Sequence, residues 1–142
     1  MARLVDEAVA AEADGFSSYW LPYVVGHDPM IALALAAQRT TTIELGTAVM
    51  RTYPKHPADL APAALSVGAA SGGRFTLGIG ASHQPLVEGL FGYRFHEPVD
   101  NTRDYLTIIT GLLAGEAEDH EGRHWTARLG LDRPDPVDVP VV

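Results

Sequence analysis

The sequence contains no cysteine, and only one of its ten basic residues is a lysine. Without cysteine, the chain cannot form a disulfide, use a thiolate nucleophile or bind zinc through sulfur. It has no Lys/Arg-rich tract and its formal net charge is −8, so nucleic acid and anionic membrane surfaces are not expected partners. No apolar run approaches the roughly 18 residues that a membrane-spanning helix needs.

The amino terminus also lacks the features of an export signal. Acidic residues occur as early as Asp6 and Glu7, which is not typical of a secretory signal peptide. The composition, 46% hydrophobic and 20% charged, is that of a globular protein. We therefore predict a cytoplasmic protein with no membrane partner, and the 142 residues suffice for one domain.

The most informative segment runs from Arg74 to His83 and has the sequence RFTLGIGASH. A short apolar run leads into Gly78 and Gly80, followed by small or polar residues. This pattern predicts a buried strand whose carboxyl end opens into a glycine-rich loop. Glycines there let a bulky ligand lie close to the backbone, and parallel α/β proteins form their sites at this end of the strands.

Helices and strands are predicted to alternate along the chain. Helices are expected over 3–13, 29–39, 57–71, 85–90 and 97–114, and strands over 16–21, 41–50, 74–80 and 139–142. Pro62 predicts a kink or a late start of the third helix. A small strand or hairpin is expected over 122–127 and a surface loop over 130–138.

This alternation predicts an α/β fold with a parallel sheet. Both a doubly wound sheet and part of a (β/α)8 barrel fit the pattern. A complete barrel normally needs about 250 residues, so this chain is too short to be one.

Five segments, in order, resemble the luciferase-like monooxygenase superfamily, and within it the oxidoreductases that use the deazaflavin coenzyme F420. They are residues 11–16 (AEADGF), 43–49 (IELGTAV), 56–57 (HP), 72–80 (GGRFTLGIG) and 112–116 (LLAGE). The resemblance implies a partial (β/α)8 TIM barrel, with roughly strands 2 to 4 and the start of strand 5. Residues 1–142 would then form a single incomplete luciferase-like domain.

The resemblance also implies a cofactor site. Thr47, Ala48 and Val49 would pack behind a flavin-type ring, with a cis peptide expected between Ala48 and Val49. Gly80, Ala81, Ser82 and His83 would hold the phosphate or ribityl part of the cofactor through backbone donors and the Ser82 hydroxyl. Alternatively, the first segment is an ordinary buried strand and the second a plain strand-to-loop transition.

His27 is the candidate catalytic residue. Related proteins often carry Asp or His in the loop after the corresponding strand, near the reactive face of the ring. A histidine there can move a proton near neutral pH. Alternatively, His27 helps to cap the next helix, with Asp28 as the capping residue.

No metal site is predicted. The six histidines are scattered over loops, and neither His-x-His nor His-Glu-x-x-His occurs. His56 is expected to order a helix start, and Ser82 lacks the Gly-x-Ser-x-Gly context of a hydrolase nucleophile. Trp20 and Trp125 are expected to be packing residues; alternatively, Trp20, which lies near a strand end, borders the site. A cluster of acids is expected to form a solvated loop: Glu116, Glu118, Asp119 and Glu121.

The function implied by the resemblance is hydride transfer between coenzyme F420 and a small organic substrate. One alternative is an FMN-dependent monooxygenase of the same superfamily, and another is a non-catalytic fragment or interaction subunit. Exposed sheet edges in an incomplete barrel leave open a homo-oligomer.

Overall fold

The computed structural model describes residues 1–133 and 135–142. Its elements are, in chain order, α1 (Ala2–Ala13), β1 (Ser18–Leu21), α2 (Pro29–Ala37), β2 (Glu44–Thr47), β3 (Met50–Arg51), α3 (Pro57–Ala70), β4 (Phe75–Thr76), β5 (Ile79–Gly80), α4 (Gln84–Phe91), α5 (Pro98–Ala114), β6 (Glu118–Glu121) and β7 (Thr126–Leu129). Within the described ranges, no helix is long and apolar enough to cross a membrane.

The described residues form two compact units. The first contains Met1–Met50, Ala63–Ile79 and Asp135–Val142, and the second contains Arg51–Pro62 and the described part of 80–134. Each unit has its own buried side chains. Leu33, Leu45 and Phe75 are among those of the first unit, and Ile108 and Leu112 are among those of the second.

The first unit contains the parallel sheet that the alternation predicts. Its strand order is β1-β2-β4, and all pairs are parallel. The predicted strand over 139–142 is present as a parallel bridge between Leu77 and Val141, and the Ile79 amide donates to the Val142 carbonyl at 2.9 Å. The α/β class is therefore confirmed.

The predicted strands 41–50 and 74–80 are each interrupted, which the sequence pattern did not indicate. The Thr47 side chain causes the interruption, because its hydroxyl donates to the Gly78 carbonyl at 2.8 Å and accepts from the Gly78 amide at 3.0 Å. A side chain thus takes the place of a backbone partner at this point. Regular pairing resumes where the Met50 amide donates to the same Gly78 carbonyl at 2.7 Å.

The predicted helix boundaries hold at several ends. Gly15 ends α1 in the left-handed region with φ 82°, and the Asp28 side chain caps α2 by accepting from the Met30 amide at 2.9 Å. The expected late start at Pro62 is wrong, since α3 begins at Pro57 and contains Pro62. His56 orders that start as predicted, because its Nδ1 accepts from the Ala58 amide at 3.1 Å.

Arg74 closes the carboxyl end of α2. Its guanidinium donates to the carbonyls of Ala37 at 3.2 Å, Thr40 at 3.1 Å and Ile43 at 2.8 Å. A cation is favourable at a helix carboxyl terminus, where backbone carbonyls lack partners within the helix. Arg74 therefore fixes the turn that connects α2 to β2.

Glu12, near the end of α1, binds the same turn from the other side. Its Oε1 accepts from the backbone amides of Thr41 at 2.8 Å, Thr42 at 2.6 Å and Ile43 at 2.9 Å. These hydrogen bonds, with Thr42 contributing most, lower the pKa of Glu12 from 4.5 to about 2.

We predict that Glu12→Gln lowers the thermal midpoint at neutral pH and that the difference from wild type disappears in acid. Because the folded-state pKa of Glu12 is lowered, its contribution is complete above 4.5 and is lost as the pH falls from 4.5 to about 2. Thermal unfolding of both proteins between neutral pH and pH about 2 measures this. Glu116→Gln, at an exposed carboxylate, is the control, and equal midpoints of Glu12→Gln and wild type at neutral pH would contradict the assignment.

The second unit contains a hairpin that differs from its prediction. Three of the four acids expected in a solvated loop, Glu118, Asp119 and Glu121, instead lie in β6, which pairs antiparallel with β7 from Glu118–Leu129 to Glu121–Thr126. Glu116 precedes this strand and is exposed, as predicted. The predicted hairpin over 122–127 covers only the turn and the start of β7. Alternating exposure allows charged side chains on a two-stranded ribbon, because one face lies in solvent. The loop predicted over 130–138 includes Pro134, which lies outside the described residues.

Asp104 of α5 holds the hairpin turn. Its Oδ2 accepts from the amides of His124 and Trp125, each at 2.8 Å, and its Oδ1 binds the His120 imidazole. Burial raises the pKa of Asp104, but these hydrogen bonds outweigh burial, so that its pKa lies below the ordinary value of 3.8. Trp125 packs as predicted, edge-on to Tyr105 with ring centroids 5.4 Å apart.

Candidate functional site

The end of β2 places three predicted cofactor residues in the first unit. Thr47 is fully buried and its hydroxyl binds Gly78, whereas Ala48 and Val49 are exposed. The Ala48–Val49 peptide is cis, at the position that the resemblance implies. The Ala48 amide donates to the Leu21 carbonyl at 2.9 Å, so the segment is tied to the end of β1. An exposed apolar surface held by buried hydrogen bonds can receive a flat ring.

Glycine and tryptophan set the shape of the sheet behind this segment. Gly46 lies against the Trp20 indole so closely that a Cβ at position 46 would collide with the ring. This close approach explains why a glycine lies inside the strand at position 46. Trp20 is a packing residue as predicted, since its ring covers Gly46.

The loop between β1 and α2 carries His27. The imidazole is exposed and, among the residues described, makes no hydrogen bond. Asp28 provides the helix cap, so His27 is not needed for capping. The Tyr23 amide donates to the Val49 carbonyl at 3.3 Å, which joins the start of this loop to the end of the predicted ring-binding segment. A catalytic role of His27 stays a prediction.

The loop over 80–83 belongs to the second unit and leads into α4. The Gly80 carbonyl accepts from the Thr52 amide at 3.0 Å. Ser82 is in the left-handed region with φ 68°, which is uncommon for a residue other than glycine and recurs at ligand sites. His83 is the N-cap of α4, but its side chain accepts no hydrogen bond from the first turn. The amino end of α4 is therefore open to an anionic group.

Ala81 also borders a cleft of about 730 Å³. The other lining residues lie on one side of α5 and are Pro98, Val99, Thr102, Arg103, Leu106, Thr107 and Thr110. Val99 is 68% exposed there, so the cleft presents apolar surface to solvent. A cleft of this volume is in the range of small-molecule sites.

Sequence reasoning missed a second cleft of the second unit, of about 610 Å³. Its lining is rich in aromatic and imidazole rings and includes Tyr53, His56, Tyr93, His96, His124 and Trp125. His96 and His124 lie edge-on with ring centroids 5.2 Å apart. No sequence pattern indicated this grouping, because the two histidines are far apart along the chain and belong to no spaced motif.

Hydrogen bonds hold the walls of this cleft. The Tyr53 hydroxyl donates to the His96 carbonyl at 3.2 Å, and the Tyr53 ring stacks on Phe95. Burial raises the pKa of Tyr53. His56 uses both ring nitrogens: since Nδ1 accepts from the Ala58 amide, Nε2 carries the hydrogen that is donated to the Thr126 carbonyl at 3.1 Å.

Parallel strands connected by helices, with exposed loops at the carboxyl ends of the strands, define a protein of the α/β class. The chain belongs to the luciferase-like monooxygenase family, whose family model matches residues 1–142.

Two relatives are named for reactions of coenzyme F420 or methanopterin. A putative coenzyme F420-dependent oxidoreductase of Mycobacterium tuberculosis is 37% identical over 108 residues, covering 76% of this chain and 31% of the relative. A 5,10-methylenetetrahydromethanopterin reductase of Methanolobus tindarius is 31% identical over 121 residues, covering 84% of this chain and 37% of the relative. The chain thus spans well under half the length of these relatives.

Solved structures have the same fold. The oxygenating constituent of 3,6-diketocamphane monooxygenase from Pseudomonas putida, a type II Baeyer–Villiger monooxygenase in complex with FMN, matches with a TM-score of 0.82 and 26% identity, over 94% of this chain and 40% of that one. The coenzyme F420-dependent tetrahydromethanopterin reductase of Methanopyrus kandleri matches with a TM-score of 0.85 and 22% identity, over 99% and 45%. The second likeness concerns the fold alone.

Proposed function

We propose that this chain is part of a coenzyme F420-dependent oxidoreductase that acts on a small organic substrate. The observation that carries the proposal is the exposed apolar segment Ala48–Val49, held by the buried Thr47 and Gly78 pair. A relative named for coenzyme F420, the putative oxidoreductase of Mycobacterium tuberculosis, supports this choice of cofactor. Residues 1–142 would be a single incomplete barrel domain, with roughly strands 2 to 4 and the start of strand 5.

Each predicted segment has a separate task. In the first unit, Ala48 and Val49 would contact one face of the ring and exclude water from it, while Thr47 would hold their backbone. In the second unit, the backbone of Gly80 and Ala81, with Ser82 and His83, would bind the phosphate-bearing tail at the open amino end of α4. When bound, the deazaflavin would supply the hydride chemistry.

His27 would move a proton at an imidazole nitrogen. Its exposed ring makes no hydrogen bond among the described residues, so both nitrogens are accessible to a substrate. Because Asp28 caps α2, the position of the loop does not depend on the His27 ring. The substrate itself would be a small molecule.

An FMN-dependent monooxygenase is the second candidate. The FMN-bound Pseudomonas monooxygenase, with 26% identity and a TM-score of 0.82, favours it. Both candidates require a flat ring against Val49, so cofactor preference rather than ring binding distinguishes them.

The test is a fluorescence titration of the chain with coenzyme F420 and, separately, with FMN. We expect binding of coenzyme F420 to be the tighter of the two. Val49→Glu should weaken it by at least about tenfold, because a carboxylate is costly to desolvate against a ring. Ile31→Glu, at an apolar α2 residue that is 57% exposed, is the matched control and should leave the affinity unchanged.

The possible results separate the candidates. Tighter binding of FMN would favour the monooxygenase. Binding of neither cofactor by a folded chain would favour a non-catalytic role, whether as a structural or as an interaction subunit. Equal loss of affinity in Val49→Glu and Ile31→Glu would contradict the assignment of Val49 to the ring surface.

A further inference from the structure

His96 and His124, which line the second cleft, bring metal-binding atoms together with Glu97, the residue that follows His96. One ligand atom each of His96, Glu97 and His124 lies within 4.8 Å of the others. Two imidazoles and one carboxylate are a ligand set that zinc accepts, and this set is typical of sites that keep a fourth position open. The donor chemistry therefore fits a divalent ion of the zinc class better than Mg²⁺ or Ca²⁺, which prefer oxygen.

Two atoms of this cluster, Nε2 of His124 and Oε2 of Glu97, face each other without hydrogen-bond partners among the described residues. The His124 side chain is only 4% exposed, and among the described residues neither its Nε2 nor Oε2 of Glu97 makes a hydrogen bond. These two atoms are 3.5 Å apart. That separation is long for a hydrogen bond but close to the roughly 3.3 Å between tetrahedral zinc ligands at bond lengths of about 2.0–2.1 Å.

A buried nitrogen without a hydrogen bond costs folding free energy. A group that binds Nε2 of His124 would therefore stabilise the folded chain. A cation between the His124 Nε2 and Glu97 Oε2 atoms, which are 3.5 Å apart, would satisfy both at once. His96 is exposed, so its ring can adjust to a bound ion.

The rest of the second unit positions the cluster before any ion binds. Asp104 fixes the backbone of His124 through its amide, and the Tyr53 hydroxyl fixes the His96 carbonyl. The Glu97 carbonyl accepts from the Asn101 amide at 2.9 Å in the first turn of α5. Supporting hydrogen bonds of this kind orient the ligands of metal sites.

One positive charge opposes the ion. The Arg123 guanidinium donates to Oε1 of Glu97 at 2.8 Å, leaving Oε2 for His124. The Arg123 side chain is 70% exposed, so it can turn into solvent at little cost. Removing this charge should therefore strengthen the binding of a cation.

We propose that His96, Glu97 and His124 bind one divalent transition-metal ion of the zinc class, with a fourth position open to water. This site lies wholly in the second unit and is separate from the residues assigned to the cofactor. It differs from the sequence-based expectation of no metal, which rested on the spacing of histidines along the chain.

The test is a calorimetric titration of the whole, untagged and metal-free chain with zinc chloride in a non-chelating buffer. We expect one ion per chain. His124→Gln and Glu97→Gln should each weaken zinc binding by at least about tenfold. Arg123→Gln should tighten it, because the competing guanidinium is gone, and His27→Gln, at an exposed histidine elsewhere, should leave it unchanged.

A second measurement guards against misfolding of a variant. Zinc should raise the thermal midpoint of the wild-type chain by mass action, and this rise should be absent in the substituted cluster. If His124→Gln does not fold, His96→Gln, at an exposed ring, carries the same expectation. The proposal is overturned if no zinc binds, or if the folded cluster variants bind zinc as tightly as the wild type.

Discussion

Replacing Gly78 with alanine is expected to destabilise the chain by about 3 kcal/mol or more. Gly78 is buried, and a Cβ there would collide with the backbone carbonyl of Thr47. Backbone cannot rotate away as a flexible side chain can. Relief would require Thr47 and Gly78 to separate, which would break their two hydrogen bonds and the one from the Met50 amide.

Urea unfolding of the wild type and of Gly78→Ala measures this effect. Gly89→Ala is the matched control, because a Cβ there would meet open space within the helix α4. That control should be neutral or more stable by about 0.5–1 kcal/mol, since alanine favours helix over glycine. An unfolding midpoint of Gly78→Ala equal to that of wild type would contradict the close approach of Gly78 to the Thr47 carbonyl.

Replacing Asp104 with alanine is expected to cost about 2–4 kcal/mol. Its carboxylate is the acceptor for the amides of His124 and Trp125 and binds the His120 ring, and its side chain is only 10% exposed. Alanine would leave these donors without that acceptor. The hairpin turn should then loosen, and zinc binding at His124 should weaken with it.

The pH dependence gives an independent check. Because the folded-state pKa of Asp104 is lowered, its contribution is present above 3.8 and is lost as the pH falls below that value. The difference in unfolding free energy between wild type and Asp104→Ala should therefore shrink in acid. Asp119→Asn is the control, since Asp119 is 89% exposed and pairs with an exposed arginine. A loss in Asp119→Asn as large as in Asp104→Ala would count against a specific role of Asp104.

Local patterns predicted the elements well where the cause is local. The predicted end of the first helix and start of the second are confirmed, because the left-handed Gly15 and the Asp28 side-chain cap act within one turn of the backbone. The alternation of helices and strands predicted the parallel sheet of β1, β2 and β4. These features need no knowledge of distant contacts.

Patterns failed where a distant side chain decides the result. The strand over 74–80 is interrupted because Thr47, 31 residues earlier, binds Gly78 with its hydroxyl. The acids over 118–121 form a strand because β7 supplies a partner and Asp104 holds the turn. The acidic composition of this segment predicted a loop, because composition indicates which side chains are solvated but not which strands pair.

The sequence by itself determined the class of fold, because the fold class follows from short-range periodicity. It also determined the family and the order of the segments that could hold a cofactor, because these follow from local sequence motifs. Only the tertiary structure decided that the ligand atoms of His96, Glu97 and His124 come together. The physical reason is that this meeting depends on the antiparallel return of the β6–β7 hairpin to the amino end of α5, where the Asp104 carboxylate captures two backbone amides of the turn.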